Sequence, residues 1–326
     1  MKNKSTFVIL AFILIIFNSC ESLEQQKTIK LAHGLDTSHP VHKAMVFMGE
    51  ELEKNSNGTL KLEVYPNQQL GSERQCLELL QIGSLDMTKV SAAVMENFSP
   101  NMKVLGLPFL FKNKEQTFNI LDGEIGKELL DGGKKYWLKG LGYYDAGSRS
   151  FYTKEAPILK PKNLEGLKIR VMESVTAMNM VRNLGGSPTP ISAGELYTAL
   201  QQGVVDGAEN NPPTFYLSRH YEVCKFFSLD EHTTIPDVLI MSTHLWDKLS
   251  EKEQVWVQKA VDSSVKYQRK LWAKAETEAI EAVKKAGVTV VIPDKSEFQE
   301  KMVSLYDDYK SNKEIYELIT KIKAFQ

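Results

Sequence analysis

The chain has 326 residues and a mass of 36.9 kDa, which suits one large domain or two of ordinary size. Its 42% apolar and 25% charged residues exclude a disordered chain, a fibrous repeat and a polytopic membrane protein. Forty basic and 41 acidic residues give a net charge of −1, so the chain lacks the basic excess that would predict nucleic-acid binding. Three cysteines, Cys20, Cys76 and Cys224, are too few for a disulfide framework or a cysteine-rich zinc site.

The N-terminal segment predicts export rather than part of the fold. Two lysines precede an apolar run from Phe7 to Phe17, which is shorter than the roughly 20 residues that a bilayer-spanning helix needs. Ser19-Cys20 then resembles a bacterial lipobox, in which the cysteine is lipidated and becomes the first mature residue. We therefore expect residues 1–19 to be a signal peptide, Cys20 to carry the lipid and residues 20–27 to form a tether. An ordinary secretory signal cleaved nearby is the alternative.

The mature chain begins with alternating strand and helix patterns. Apolar residues recur at every second position in the strands and at helical spacing between them. The predicted elements are a strand at Thr28–His33, a helix at Val41–Leu52, a strand at Leu60–Tyr65, a helix at Glu73–Ile82 and a strand at Leu85–Val90. This β-α-β-α-β order predicts a sheet covered by helices.

A second α/β block follows. Its predicted elements are strands near Leu141–Tyr144 and Ser150–Tyr152, a strand at Leu167–Met172, helices at Val175–Leu184 and Gly194–Gln202, and a strand at Val204–Glu209. These elements indicate a second α/β block.

The longest periodic segment begins at Ser250, where Ser250-Glu-Lys-Glu253 matches a capping box. Neither glycine nor proline then occurs before Gly287, which leaves room for about 36 helical residues, or about 54 Å. A helix of that length exceeds the diameter of one small domain and must run along both α/β blocks. A late strand at Gly287–Ile292 and mainly helical residues 295–325 complete the chain.

Several common motifs are missing from the sequence. No glycine-rich nucleotide-binding loop and no GxSxG nucleophile motif occurs. His33, His39 and His42 lie within ten residues, but no HExxH or other paired histidine completes a metal site. These histidines are therefore interpreted as surface or ligand-lining residues, and we expect no metal and no cofactor.

Two arginines lie in strand-like segments. Arg149 precedes the aromatic pair Phe151-Tyr152, and Arg170 lies in the middle of the strand Leu167–Met172. A buried mid-strand arginine is costly unless it is paired. It is either a structural ion pair or a clamp that binds a carboxylate through two parallel hydrogen bonds.

The segment from Gly194 to Pro212, GELYTALQQGVVDGAENNP, resembles the TRAP-transporter extracytoplasmic solute receptors, the DctP-type family. Gln69-Leu-Gly71, Leu107–Phe111 and Leu164–Val171 match further motifs of the family. The resemblance covers about residues 27–323. It implies a periplasmic receptor that works with the membrane subunits of a permease. We expect this receptor to be a monomer, anchored by the lipid on Cys20.

The family resemblance also implies the fold. We expect an α/β, two-lobed type II periplasmic-binding-protein-like fold in which the long helix spans both lobes. The first lobe is expected at residues 28–150 plus about 236–270. The second is expected at residues 151–235 plus about 271–326.

The resemblance carries over a ligand site residue by residue. In the family, a principal arginine in a second-lobe strand binds the ligand carboxylate, which raises the clamp interpretation of Arg170 above that of an ion pair. The other implied ligand-binding residues are Arg149, Asn210, Asn211 and Glu73, with His39 and His33 as weaker candidates. A carboxylate such as Glu73 near an anionic ligand favours a ligand whose hydroxyls donate hydrogen bonds to it.

The Asn210-Asn211 doublet before Pro212-Pro213 resembles the acidic-sugar branch of the family. We therefore expect D-glucuronate or D-galacturonate as the ligand and no enzymatic activity. The alternatives are another sugar acid such as gluconate or diketogulonate, a C4-dicarboxylate or a keto acid. An ABC-type binding protein and an exported sugar-acid enzyme are more remote, and no second carboxylate near Glu73 suggests an acid–base pair.

Overall fold

The computed structural model describes residues 26–325, so the predicted signal peptide and Cys20 lie outside the described residues. Two β-sheets flanked by helices form two lobes. This arrangement confirms the α/β two-lobed prediction. In the described part of the chain, no helix has both the length and the apolar character to cross a membrane.

The first lobe is built on a five-stranded sheet of order β2-β1-β3-β10-β4. Strands β1, β2 and β3 are parallel, whereas β10 runs antiparallel to both β3 and β4. Its strands are β1 (Lys27–Ala32), β2 (Leu60–Tyr65), β3 (Met87–Ser91), β4 (Leu138–Tyr144) and β10 (Asp237–Ser242). Its helices are α1 (Pro40–Asn55), α2 (Glu73–Gln81), α3 (Ala92–Met95), α4 (Lys114–Asp122), α5 (Glu124–Asp131) and α9 (Thr243–Trp246).

The second lobe is built on a six-stranded sheet of order β11-β9-β5-β8-β6-β7. Its strands are β5 (Ser148–Thr153), β6 (Lys168–Val171), β7 (Ser187–Pro190), β8 (Gly207–Asn210), β9 (Phe226–Thr234) and β11 (Thr289–Val291). Its helices are α6 (Val175–Asn183), α7 (Leu196–Gln201) and α8 (Pro212–Leu217). The sequence patterns did not predict β7, whose two prolines suit only the edge position that it occupies.

The long helix α10 (Glu251–Lys285) confirms the predicted run almost to the residue. Ser250 accepts a hydrogen bond from the Glu253 amide, and the Glu253 side chain accepts one from the Ser250 amide, which completes the capping box. Val257 and Val261 pack in the core of the first lobe, whereas Val283 packs in the core of the second. The helix therefore bridges both lobes, as predicted.

The chain also passes between the lobes at two strand connections, residues 145–147 between β4 and β5 and residues 235–236 between β9 and β10. The C-terminal helices divide between the lobes. Helix α11 (Ser296–Asp308) packs on the second-lobe core, but helix α12 (Lys313–Ala324) places Ile315, Leu318 and Ile322 in the first-lobe core. This placement differs from the expected assignment of residues 271–326 to the second lobe, because the helical pattern does not reveal which core the apolar face meets.

Cys76 and Cys224 are buried, unbonded thiols in different lobes. Among residues 26–325, no group of three or more His, Cys, Asp or Glu side chains is arranged to hold a metal ion.

Candidate ligand-binding site

A cavity lies between the two lobes, where both sheets direct the ends of their strands. Its enclosed volume is about 80 Å³, and the space between its walls, with the open mouth included, is about 710 Å³. Six of the seven predicted ligand residues line it. They are His39, Glu73, Arg149, Arg170, Asn210 and Asn211.

The lobes touch each other beside this cavity. The hydroxyl of Thr176 donates to Glu96 at 2.7 Å, and the side-chain Nδ2 atom of Asn97 donates to the Glu173 carbonyl at 2.6 Å. Gln68 of the first lobe lies so close to Gly194 of the second that a Cβ at position 194 would stand 2.3 Å from the Gln68 Oε1 atom. The structure therefore shows the two lobes closed around the cavity.

Arg170 lies in the middle of β6 and is only 2% exposed. Within residues 26–325 its guanidinium makes one hydrogen bond, from Nε to the Ile191 carbonyl at 2.8 Å, and no ion pair. Burial lowers the pKa of Arg170, and no carboxylate of the described residues contacts it to offset that effect. The four N–H donors of its two terminal nitrogens are thus left for an anion in the cavity.

Arg149 has the opposite environment, because Glu209 saturates it. The Nε and Nη2 atoms of Arg149 donate to the two oxygens of the Glu209 carboxylate, and Nη2 also donates to the Glu209 carbonyl. Burial alone would lower the pKa of Arg149, but the Glu209 charge raises it. On the far side of Glu209, His232 lies 3.5 Å away and is held by Asp230 at 2.7 Å.

Arg149 also sets the orientation of Asn210. The Asn210 Oδ1 atom accepts hydrogen bonds from Arg149 Nη1 at 2.8 Å and from the Asn211 amide at 2.9 Å. Its Nδ2 group is therefore the end that remains available as a donor to a ligand. Asn211 caps helix α8 by accepting a hydrogen bond from the Thr214 amide at 2.8 Å.

The first-lobe wall carries Glu73 at the start of α2 together with Lys89 of β3 and Asp237 of β10. The Lys89 ammonium lies 3.0 Å from Glu73 Oε1 and 3.2 Å from Asp237 Oδ1. Glu73 Oε2 accepts a hydrogen bond from the Ser91 amide at 3.1 Å. The two carboxylates outweigh the effect of burial and raise the pKa of Lys89.

His39 and Trp272 present donors to the same cavity. The His39 Nδ1 atom accepts a hydrogen bond from the Val41 amide at 3.2 Å, so the neutral ring carries its proton on Nε2. Burial, helped by the charge of Lys89, lowers the pKa of His39 to about 3 and keeps the ring neutral. Neither His39 Nε2 nor Trp272 Nε1 has a hydrogen-bond partner within the described residues, although both are buried.

His33, the weakest predicted ligand residue, does not line the cavity. Its Nε2 atom lies 3.0 Å from His42 Nδ1, and its Nδ1 atom accepts a hydrogen bond from the Leu35 amide at 3.1 Å. His33 therefore stabilises the turn between β1 and α1, which in turn carries His39.

The sequence analysis missed several cavity residues, among them Lys89, Asp237 and Trp272. Lys89 lies in the buried strand β3, and Asp237 begins the mainly apolar strand β10. A charge at such a position is a signal that could have marked them, as it marked Arg170. Trp272 had no comparable signal, because an aromatic residue on a long amphipathic helix is ordinary core.

We expect the folded chain to lose stability as the pH falls below about 6.5. His33, His39 and His220 are buried, and burial lowers the pKa of each to about 3. Because the unfolded histidines bind protons first, stability is fully present above pH 6.5 and falls between about pH 6.5 and 3. His232 has the opposite effect, but it is one site against three. Burial would lower its pKa, but the charge of Asp230 raises it to about 9.

Urea unfolding at pH 7.5 and 5.0 measures this loss, which we expect to be about 2 kcal/mol or more. A His220→Gln variant loses one of the three buried sites, so its stability should depend less on pH. His244→Gln, at an exposed position, is the matched control and should keep the wild-type dependence. An equal loss of unfolding free energy between pH 7.5 and 5.0 in all three proteins would show that the buried His220 does not contribute to the pH dependence.

Comparison with known proteins agrees with this geometry. The family model DctP, bacterial extracellular solute-binding protein, family 7, matches residues 31–312. A TRAP periplasmic solute-binding protein from Xanthobacter autotrophicus Py2, with bound β-D-galacturonate, is 41% identical with a TM-score of 0.89, and the match covers 91% of this chain and 100% of that one.

Two further relatives support the same assignment. A TRAP periplasmic solute-binding protein from Chromohalobacter salexigens DSM 3043, with bound D-glucuronate, is 34% identical with a TM-score of 0.89. The match covers 91% of this chain and 100% of that one. The uncharacterized protein YiiZ of Salmonella typhimurium is 39% identical over 298 residues, which are 91% of each chain. The resemblance found in the sequence is confirmed: the chain belongs to the DctP family of bacterial extracellular solute-binding proteins, the solute receptors of TRAP transporters.

Proposed function

We propose that this receptor binds a hexuronate, D-galacturonate or D-glucuronate, between its lobes and delivers it chemically unchanged to the membrane subunits of a TRAP permease. The observation that carries the proposal is Arg170, a buried guanidinium that faces the cavity and has no carboxylate partner within residues 26–325. A ligand carboxylate would supply the missing charge through two parallel hydrogen bonds.

The remaining cavity groups suit a ligand with many hydroxyls. Asn210 Nδ2 and His39 Nε2 offer donors, whereas Glu73 and Asp237 offer acceptors on the opposite lobe. A sugar hydroxyl both donates and accepts, so it can satisfy either kind of group. The solved relatives with bound β-D-galacturonate and D-glucuronate support the same class of ligand.

A thermal-shift panel followed by calorimetry tests this proposal. The panel contains galacturonate, glucuronate, gluconate, succinate and glucose. We expect a hexuronate to stabilise the protein most, by about 2.7 kcal/mol at 100 times its dissociation constant, and to be recovered unchanged. Stabilisation by glucose equal to that by a hexuronate would contradict the role of the carboxylate, and stabilisation by succinate alone would reassign the ligand class.

We further propose that the mature receptor is attached to a membrane through a lipid on Cys20, by way of a tether that ends where β1 begins at Lys27. The short apolar run before Ser19-Cys20 supports this proposal. We expect Cys20→Ala to release the protein from membranes or to leave its signal uncleaved. Intact-mass analysis that finds an unmodified N-terminus at another residue would contradict the anchor.

A further inference from the structure

The first-lobe wall of the cavity holds two carboxylates around one ammonium. Side-chain exposure is 18% for Glu73, 11% for Asp237 and only 3% for Lys89, so all three are largely withdrawn from bulk water. The group carries a net charge of −1 when all three members are ionised. We call these three side chains, Glu73, Lys89 and Asp237, the acidic wall.

The opposite wall has the opposite character. Arg149 is neutralised by Glu209, so Arg170 is the cavity cation that lacks a carboxylate partner within residues 26–325. Half-buried Glu173 also lines the cavity from the second lobe and adds negative charge. Arg170 on the second-lobe wall thus attracts a carboxylate, whereas the acidic wall of the first lobe carries surplus negative charge.

The two acidic-wall carboxylates differ in how fully they are satisfied. Glu73 receives Lys89 on one oxygen and the Ser91 amide on the other. Asp237 receives Lys89 near Oδ1, and no donor from residues 26–325 reaches its Oδ2 atom. Asp237 is therefore the group with the larger unused capacity to accept a hydrogen bond, which a hydroxyl can donate and a carboxylate cannot.

We propose that the acidic wall, and Asp237 above all, restricts the receptor to sugar acids with a single carboxylate and excludes aldarates, which carry one at each end. A ligand held by Arg170 extends its far end toward the first lobe. A hydroxyl there donates to Asp237, whereas a second carboxylate would be the third around one ammonium, and the like charges repel. The inference rests on the proposed function and adds to it the residue that limits ligand charge.

Galactonate and galactarate are suitable probes, because both are open chains of the same length and configuration. They differ in one end group, a hydroxymethyl in galactonate and a carboxylate in galactarate. By calorimetry we expect the wild type to bind galactonate at least about 30-fold more tightly than galactarate. In Asp237→Asn the preference should shrink about 10-fold or more, because the amide carries no charge and can donate to a carboxylate.

Two further variants keep the test decisive. Glu73→Gln removes the other negative charge of the acidic wall and should also reduce the preference for galactonate. This variant provides the test if Asp237→Asn fails to fold. Glu63→Gln removes one charge from an exposed position on β2 of the same lobe and should leave the preference unchanged. Thermal unfolding checks that each variant is folded.

The outcomes separate this inference from the proposed function. If no sugar acid binds the wild type, the proposed function fails. If galacturonate binds but neither acidic-wall variant changes the ratio of galactonate to galactarate affinity, the inference is overturned and the proposed function stands. If the wild type binds neither open-chain acid, gain of galactarate binding by Asp237→Asn supports the inference, and no gain overturns it.

Discussion

Replacing Arg170 with alanine is expected to weaken hexuronate binding by about 30- to 1,000-fold. Hydrogen bonds to charged groups are worth roughly 1.5–3 kcal/mol each. The two bonds of a bidentate contact share one guanidinium and do not add in full, so the variant should lose about 2–4 kcal/mol in all. The strand β6 fixes the backbone of Arg170, and the Ile191 carbonyl holds its Nε atom, so the guanidinium is oriented before the ligand arrives. Titration calorimetry with galacturonate and glucuronate measures the loss.

Two matched variants show whether geometry or charge is responsible. Arg170→Lys keeps the positive charge but not the planar fork, so it should still weaken binding. Arg182→Ala removes an arginine from the exposed end of α6 in the same lobe and should bind as the wild type does. Unchanged affinity in Arg170→Ala would show that the ligand carboxylate is bound elsewhere.

Replacing Glu209 with glutamine is expected to lower the free energy of unfolding by about 3–5 kcal/mol, because it leaves the buried Arg149 charge without its partner. The Glu209 carboxylate is 1% exposed and contacts both Nε and Nη2 of Arg149. Burial would raise the pKa of Glu209, but the charge of Arg149 outweighs it and lowers that pKa to about 2. Urea unfolding at neutral pH measures the loss.

The matched control is a second bidentate arginine–carboxylate pair, which lies at the surface. Arg269 donates to both oxygens of Asp122 at 2.6 and 2.7 Å, but the Asp122 side chain is 54% exposed. Water screens such a pair, so Asp122→Asn should cost no more than about 1 kcal/mol. Equal losses for Glu209→Gln and Asp122→Asn would contradict the view that burial makes the Arg149–Glu209 pair important.

Local sequence signals predicted those parts of the fold that local physics determines. The Ser250 capping box and the absence of glycine and proline up to Gly287 set both ends of α10. The position of α12 could not be predicted in this way, because its apolar face would suit either core. Only the three-dimensional arrangement decides that Ile315 and Leu318 meet the first lobe.

The candidate site was predictable where one residue type in one strand carries the chemistry. Arg170 stands out because a charge in the middle of an apolar strand requires a partner. A charge in a buried strand could mark Lys89 and Asp237 singly, but their meeting in the acidic wall was not predictable. They come from β3 and β10, strands far apart in the sequence that pair antiparallel only after the chain has crossed between the lobes twice. Burial of Arg149 by Glu209 likewise depends on the pairing of β5 with β8.

Both ends of the described chain belong to the first lobe, because β1 opens its sheet at Lys27 and α12 packs on its core. Fluorescent reporters attached at residues 26 and 325 would therefore move as one body and give no change in signal when the lobes rotate. A donor and acceptor dye at the exposed positions Lys61 on β2 and Ser187 on β7 would instead span the hinge. A sugar-acid sensor made from this receptor needs internal labelling sites, one on each sheet.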